Sequence, residues 1–162
     1  MSVLRYEIKD RVAYITLNRP EKLNSINVEL KDRLFDAFTD VRDNPDVWMA
    51  VLTGEGRAFS TGHDLVEMAG GGAHGRPTVE LYQFIEELWK PTVAAINGIC
   101  LAQGGGLALS CDIRIASEQA QFGWPQVKRG IASTSGPCSL AHRVPMNVAF
   151  ELLFSGEFID AQ

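Results

Sequence analysis

The sequence predicts an α/β fold. Short β-rich apolar runs recur along the chain, and between them apolar residues repeat at helical spacing. A length of 162 residues, at roughly 150 per domain, sets the expectation at one domain over 1–162 with a sizeable core.

Val12–Leu17 (VAYITL) is bounded by charge before and Asn18-Arg19-Pro20 after, and reads as a strand. Asn27 is a candidate cap for a helix in which Leu30, Leu34, Phe38 and Val41 share a face, until Asn44-Pro45 stops it. Val47–Thr53 is a second buried strand. The glycine-containing loop Gly54–Asp64 leads into a short apolar turn at Leu65–Met68, and Gly70–Gly75 is the most flexible-looking stretch. Leu81, Phe84, Ile85 and Leu88 mark a helix ended by Pro91, and Thr92–Ile96 reads as a strand. Asn97-Gly98 is a tight-hairpin signal, although Gly104–Gly106 interrupts the return strand. Leu107–Cys111 looks like a short helix starting at those glycines, and Ile113–Ala116 like a strand. Ser135-Gly136-Pro137 opens a helix with a proline in its first turn, and Met146–Phe154 continues helically to Ser155-Gly156. Phe158–Gln162 reads as a strand end plus a helix cap at Asp160 with no helix after it, so the expectation is a partial chain. The order lacks a regular βαβ rhythm.

Composition narrows the function classes. Hydrophobic residues make up 46% and charged residues 22%, which excludes a disordered chain. Fifteen Lys and Arg against twenty Asp and Glu give a net charge of −5, the wrong sign for phosphate-driven nucleic-acid binding. No apolar stretch approaches a membrane span, and Met1–Asp10 carries charges where a signal peptide would be apolar, so the expectation is a soluble, intracellular protein. Cys100, Cys111 and Cys138 are odd in number and widely spaced, which favours small buried thiols over a disulfide framework or a metal site.

Three motifs invite chemistry. Gly70-x-Gly72-x-x-Gly75 matches a dinucleotide fingerprint letter for letter but follows a helical turn and runs into Arg76-Pro77, so a loop is the better reading. Gly104-Gly105-Gly106, at a helix start, leaves main-chain N–H groups open to close approach by an anionic oxygen, with close helix packing as the bland alternative. Arg57–Leu65 (RAFSTGHDL) is a second such loop. His63, His74 and His142 invite a general-base role, but no Ser–His–Asp order or metal-ligand spacing supports one.

Together these blocks resemble the crotonase superfamily, the enoyl-CoA hydratase/isomerase family. The resemblance rests on Asn18-Arg19-Pro20-Glu21-Lys22-Leu23-Asn24-Ser25, Arg57–Leu65, Ala94–Gly98 with Gly104–Gly106, and Cys111–Ala116. Phe122-Gly123-Trp124-Pro125-Gln126 and Ser155–Ala161 continue it in order over nearly the whole chain. It implies a spiral of ββα units, here without most of the C-terminal helical region, and a site that binds acyl-CoA thioesters. The main-chain N–H groups of His63 and Gly105 would then form an oxyanion hole for a thioester enolate. Lys22, Leu23, Ser25, Thr61, Gly62, Asp64 and Leu65 would border the CoA moiety, and Gly104 the thioester.

Two departures bear on the reaction. Ala108 and Gln126 stand where the hydratase pattern has glutamates, and neither can serve as a neutral-pH acid or base. Thr134 stands where some relatives place an acid. Thr134, Ser135, Trp124 and Gln126 would orient a water or the acyl group, and the His63 imidazole would act as a base only if turned inward. Two readings stay open: an acyl-CoA enzyme with altered chemistry, and a non-catalytic acyl-CoA-binding or assembly subunit. The resemblance further implies no cofactor beyond the acyl-CoA substrate, a trimer-based homo-oligomer, and a cytoplasmic or organelle-matrix location.

Overall fold

The computed structural model describes residues 2–70, 76–132 and 135–162, Ser135 by its backbone alone. The strands are β1 (Leu4–Lys9), β2 (Val12–Leu17), β3 (Met49–Gly54), β4 (Ala58–Ser60), β5 (Thr92–Ile96), β6 (Ile99–Leu101), β7 (Ile113–Ala116), β8 (Gln121–Gly123) and β9 (Phe158–Asp160). The helices are α1 (Val28–Asp43), α2 (Leu65–Ala69), α3 (Thr78–Glu86), α4 (Gln103–Leu109), α5 (Ser135–Arg143) and α6 (Met146–Ser155). Short 3-10 turns occupy Pro20–Lys22 and Pro125–Arg129.

Two sheets form, in the orders β1-β2-β3-β5-β7 and β4-β6-β8-β9. Between β3 and β8 the chain runs as a spiral. Each turn lays one strand in the first sheet, one in the second, and then, in the first two turns, a helix before returning. Thus β3, β4 and α2–α3 are followed by β5, β6 and α4, and then by β7 and β8. Successive strands pair in parallel in both sheets, with Val51 opposite Val93 opposite Ile113, and Ala58 opposite Ile99 opposite Gln121. The expected ββα spiral is therefore the observed fold.

The strand assignment changes at two places. Leu4–Lys9, not assigned from the sequence, is an edge strand antiparallel to β2, closed by a two-residue turn with Asp10 and Arg11 at φ 51° and 66°. Its outward Arg5, Glu7 and Lys9 hide the apolar alternation. Asn97-Gly98 is a corner between the two sheets and not a hairpin, because β6 leaves for the second sheet beside β4. The Asn97 side chain fixes the corner: its Oδ1 accepts from the Gly54 N–H at 3.2 Å, and its Nδ2 donates to the Gly56 carbonyl at 2.8 Å.

The main core lies between the first sheet and α1. Ile15, Leu17 and Leu52 point inward from the strands, and Leu30, Leu34, Phe38 and Val41 from the helix. Asn27 caps α1 as expected, its side chain accepting from the Leu30 N–H at 2.9 Å. A second cluster of Leu109, Trp124, Leu140, Ala149 and Leu152 joins α4 to α5 and α6. Cys100 and Cys111 are buried in the core, whereas Cys138 is exposed on α5, against the expectation of three buried thiols. Burial raises the Cys111 thiol to about 12 and the Cys100 thiol higher still, so neither is a nucleophile at neutral pH.

Phe38 has no exposed surface. Phe38→Ala is expected to cost about 3–5 kcal/mol, read as a lower urea midpoint.

Candidate active site

Three chain segments build the site, and main-chain hydrogen bonds stitch the first two together. Leu23–Ile26 runs beside Ser60–Asp64: the Thr61 N–H donates to the Leu23 carbonyl, the Ile26 N–H to Gly62, and the Asp64 N–H to Ile26, at 3.2, 2.7 and 3.0 Å. In this ladder Ile26 bonds on either side of His63, so the His63 N–H points away from Ile26. It has no hydrogen-bond partner among the described residues.

Side chains lock the same junction. The Arg19 guanidinium donates to Asp64 at 2.9 Å and to the Ser25 carbonyl at 2.5 Å, with the Arg19 and Asp64 side chains only 13% and 11% exposed. Burial alone would raise the Asp64 carboxyl. Arg19, with the Glu67 and Val66 N–H groups that Asp64 caps, outweighs burial and holds it below the usual range. Asn24 has no exposed surface and sits at φ 53°. Its Nδ2 donates to the Glu55 and Ala58 carbonyls at 3.0 and 2.8 Å, and its Oδ1 accepts from the Arg19 N–H at 2.8 Å.

The third segment is Leu101–Gly105. Ala102 sits at φ 53°, ψ −119°, a conformation that L-residues rarely adopt, held by its N–H donating to the Gly123 carbonyl at 2.9 Å. No side chain caps α4. Its first internal bond is from the Gly106 N–H to Ala102, which leaves the Gly104 and Gly105 N–H groups without partners among the described residues.

Missing side chains let these segments meet. A Cβ on Gly62, at φ 91°, would lie 3.0 Å from the Gln103 nitrogen, and one on Gly104 would lie 2.3 Å from the Ser60 carbonyl oxygen. One on Gly105 would strike the Trp124 ring at 2.8 Å.

A cavity of about 570 Å³ opens at this junction. Ser25, Thr61, His63, Leu65 and Gln126, all expected from the sequence, line it. So do Met68, Ala102, Gln103, Arg129 and Phe158, which sequence reasoning missed. Gly105, Ala108 and Trp124 lie elsewhere, around a smaller apolar cavity of about 210 Å³ on the other side of the first turn of α4. Lys22 is exposed and Leu23 half-buried beside it. Gly72, Gly75, His74 and Thr134 fall outside the described residues, as does the Ser135 side chain; Gly70 ends α2 and His142 is exposed on α5.

No Asp or Glu among the described residues lines the main cavity, and residues 71–75, 133 and 134 include none. Gln126 Oε1 and Trp124 Nε1 are buried without hydrogen-bond partners among the described residues. The His63 imidazole is turned toward Thr78, with Nε2 3.4 Å from its Oγ1, and touches the Ile26 backbone. Neither residue lines the main cavity, so this orientation does not present the ring as a base there. Burial and the Lys31 ammonium together push its pKa below 6.5, despite the opposing Ile26 contact. Among the described residues, no three His, Cys, Asp or Glu side chains gather around a metal-sized space, and no helix is long and apolar enough to cross a membrane.

A spiral of ββα turns with two main-chain segments meeting over a cavity defines a crotonase-type protein. The profile of the enoyl-CoA hydratase/isomerase family matches residues 7–162, and the chain belongs to that family. It is 39% identical to the (E)-benzylidenesuccinyl-CoA hydratase of Thauera aromatica and 35% identical to the short-chain-enoyl-CoA hydratase of Clostridium acetobutylicum. These matches cover 96% of this chain in both cases, but 63% and 62% of the relatives. The crystal structure of human enoyl Coenzyme A hydratase domain-containing protein 3 superposes with a TM-score of 0.93 at 30% identity, over 99% of this chain and 66% of that one. The chain thus spans less than two thirds of the length of these relatives.

Arg19→Met leaves the Asp64 carboxylate buried without its partner and is expected to cost about 3–5 kcal/mol in urea unfolding. Ala102→Gly removes the strained side chain and is expected to raise stability by about 1 kcal/mol in the same assay. For His63, the unfolded chain takes up a proton near 6.5 while the folded chain refuses it until lower pH. The stability its neutral ring contributes is therefore complete above that value and falls as pH drops through the window beneath it. Urea midpoints measured from about pH 7.5 to about pH 5 are expected to fall less steeply in His63→Asn than in the parent protein.

Proposed function

We propose that this chain binds an acyl-CoA thioester and stabilises its enolate, with the main-chain N–H groups of His63 and Gly105 directed at the thioester oxygen. The observation that carries the reading is the meeting of two segments at Gly62 and Gly104, each with an N–H that has no partner among the described residues. Negative charge developing on a carbonyl oxygen is met at least cost by donors fixed before the reaction begins, and each such donor contributes about 2.7–4 kcal/mol. Neither N–H can be supplied by a mobile side chain, which makes the arrangement preorganised. Family membership supports the CoA thioester as ligand, and the hydratase relatives supply the reaction class by analogy.

The acid–base chemistry departs from a two-carboxylate hydration. Ala108 offers a methyl group to an apolar cavity, and Gln126 offers an amide whose oxygen lacks a donor among the described residues. An amide can orient a water or an acyl group but cannot take its proton. The reading is therefore an enolate-stabilising lyase, isomerase or hydrolase of acyl-CoA and not a standard enoyl-CoA hydratase. It includes a trimer-based assembly and a cytoplasmic or organelle-matrix location. The missing carboxylates also favour a second reading, a non-catalytic acyl-CoA-binding subunit.

Binding and turnover of enoyl-, β-ketoacyl- and malonyl-type CoA thioesters, measured together, test both. Saturable binding with turnover of at least one is expected; binding with no turnover of any selects the second reading. Gly105→Pro deletes the N–H, and Gly105→Ala places the same Cβ against Trp124 while keeping it. The proline variant is expected to have kcat/KM roughly 100- to 1,000-fold below the alanine variant. Equal rates in two folded variants overturn the oxyanion assignment.

A further inference from the structure

A separate cavity of about 320 Å³ lies on the other side of His63, between α1 and the start of α3. Lys31, His63, Glu67, Arg76 and Thr78 line it. Lys31 stands on the inward face of α1 beside Leu30, Leu34 and Phe35, and only 8% of it is exposed. Its ammonium makes no hydrogen bond or ion pair among the described residues. The ammonium opens on the cavity, where methionine or leucine would fill the same space without a charge. Arg76 lies over the Phe35 ring at 4.7 Å, which orients its guanidinium while its N–H groups have no acceptor among the described residues. The one carboxylate lining the cavity, Glu67, is engaged at its Oε2 by the Val28 N–H at 2.9 Å. Thr78, 7% exposed, adds a hydroxyl 3.4 Å from His63 Nε2. Among the described residues, the nearly buried Lys31 and the exposed Arg76 thus face the cavity without an acceptor, and Glu67, the carboxylate lining it, already accepts a main-chain donor.

We propose that this cavity is an anion-binding subsite, in which Lys31 and Arg76 hold a carboxylate or phosphate group and Thr78 donates to it. His63 and Met68 line both this cavity and the main one, so a ligand seated against the His63 main chain reaches the subsite past the His63 ring. The origin of the anion rests on the proposed acyl-CoA reading: it is either a second carboxylate on the acyl part or a phosphate of the CoA. The subsite itself does not depend on that reading. It makes the substrate class an acyl-CoA with an additional anionic group at the acyl end if the carboxylate is the occupant, and places a CoA phosphate if it is not.

Two measurements test it. In the first, inorganic phosphate and succinate are titrated into the ¹⁵N-labelled protein while the His63 ring and Thr78 amide resonances are followed. Saturable shifts that vanish in Lys31→Met are expected. In the second, calorimetry compares butyryl-CoA, succinyl-CoA and their 3′-dephospho forms on the parent protein, Lys31→Met and Arg76→Gln. Loss of the Lys31 charge is expected to weaken binding roughly 30-fold or more, and loss of the exposed Arg76 charge by less. A loss confined to succinyl-CoA identifies the acyl carboxylate, and a loss confined to ligands carrying the 3′-phosphate identifies the CoA phosphate. A loss shared by all four ligands, beside saturable small-anion shifts, identifies the pyrophosphate they have in common. Absence of small-anion shifts overturns the subsite, as does a small-anion response unchanged in Lys31→Met. Small-anion shifts without binding of any thioester overturn only the acyl-CoA reading and leave the subsite standing.

Discussion

Backbone packs directly on backbone where Ser60–His63 passes Leu101–Gly105. Gly62 and Gly104 stand at the points of contact, and any Cβ there meets a nitrogen or a carbonyl within about 3 Å. The approach sets the spacing of the two sheets at this end, since β4 feeds one segment and β6 the other. It also decides what the site can be. Groups brought together this way are N–H donors whose direction is fixed by strand pairing and by the start of a helix.

Holding such a junction open costs free energy that the surroundings must offset. Ala102 keeps an unfavourable backbone conformation and Asn24 a left-handed one, each about 1–3 kcal/mol for a non-glycine residue in the worst case. The compensation is polar and local: two hydrogen bonds donated and one accepted by the Asn24 side chain, the Arg19–Asp64 pair, and the Ala102 N–H on Gly123. Asn24 is wholly buried and the Arg19 and Asp64 side chains are nearly so. Apolar burial in the core, between α1 and the first sheet, supplies the rest.

Elements with strong apolar periodicity were legible in the sequence. Val12–Leu17, the helix capped by Asn27, Thr92–Ile96, Ile113–Ala116 and the helices after Ser135 and at Met146 all stand where spacing and caps put them. In the second sheet the strand end at Phe158 was legible too, but β4, β6 and β8 were not, because three residues such as Ile99–Leu101 carry no measurable period. The corner at Asn97-Gly98 looked like a hairpin because only tertiary contacts distinguish the two. Within the site, the two glycine loops were visible as open donors, but their meeting was not, since forty residues separate them and only the resemblance implied it. Arg19 and Asn24 belonged to a recognised block without any visible role; their task is to tie chain segments together, and a partner across the fold leaves no local signal. Lys31 was hidden for the opposite reason: a lysine on a helix reads as solvated surface until its neighbours are known.

Isotope-edited infrared spectroscopy of a bound CoA thioester labelled with ¹³C at its carbonyl reads the shared-oxygen arrangement most directly. Two donors on one oxygen lengthen the C=O bond, so the stretch is expected to move well below its position in water when the thioester binds. A saturating complex whose carbonyl stretch stays at or above the aqueous frequency would contradict the proposed joint grip of His63 and Gly105.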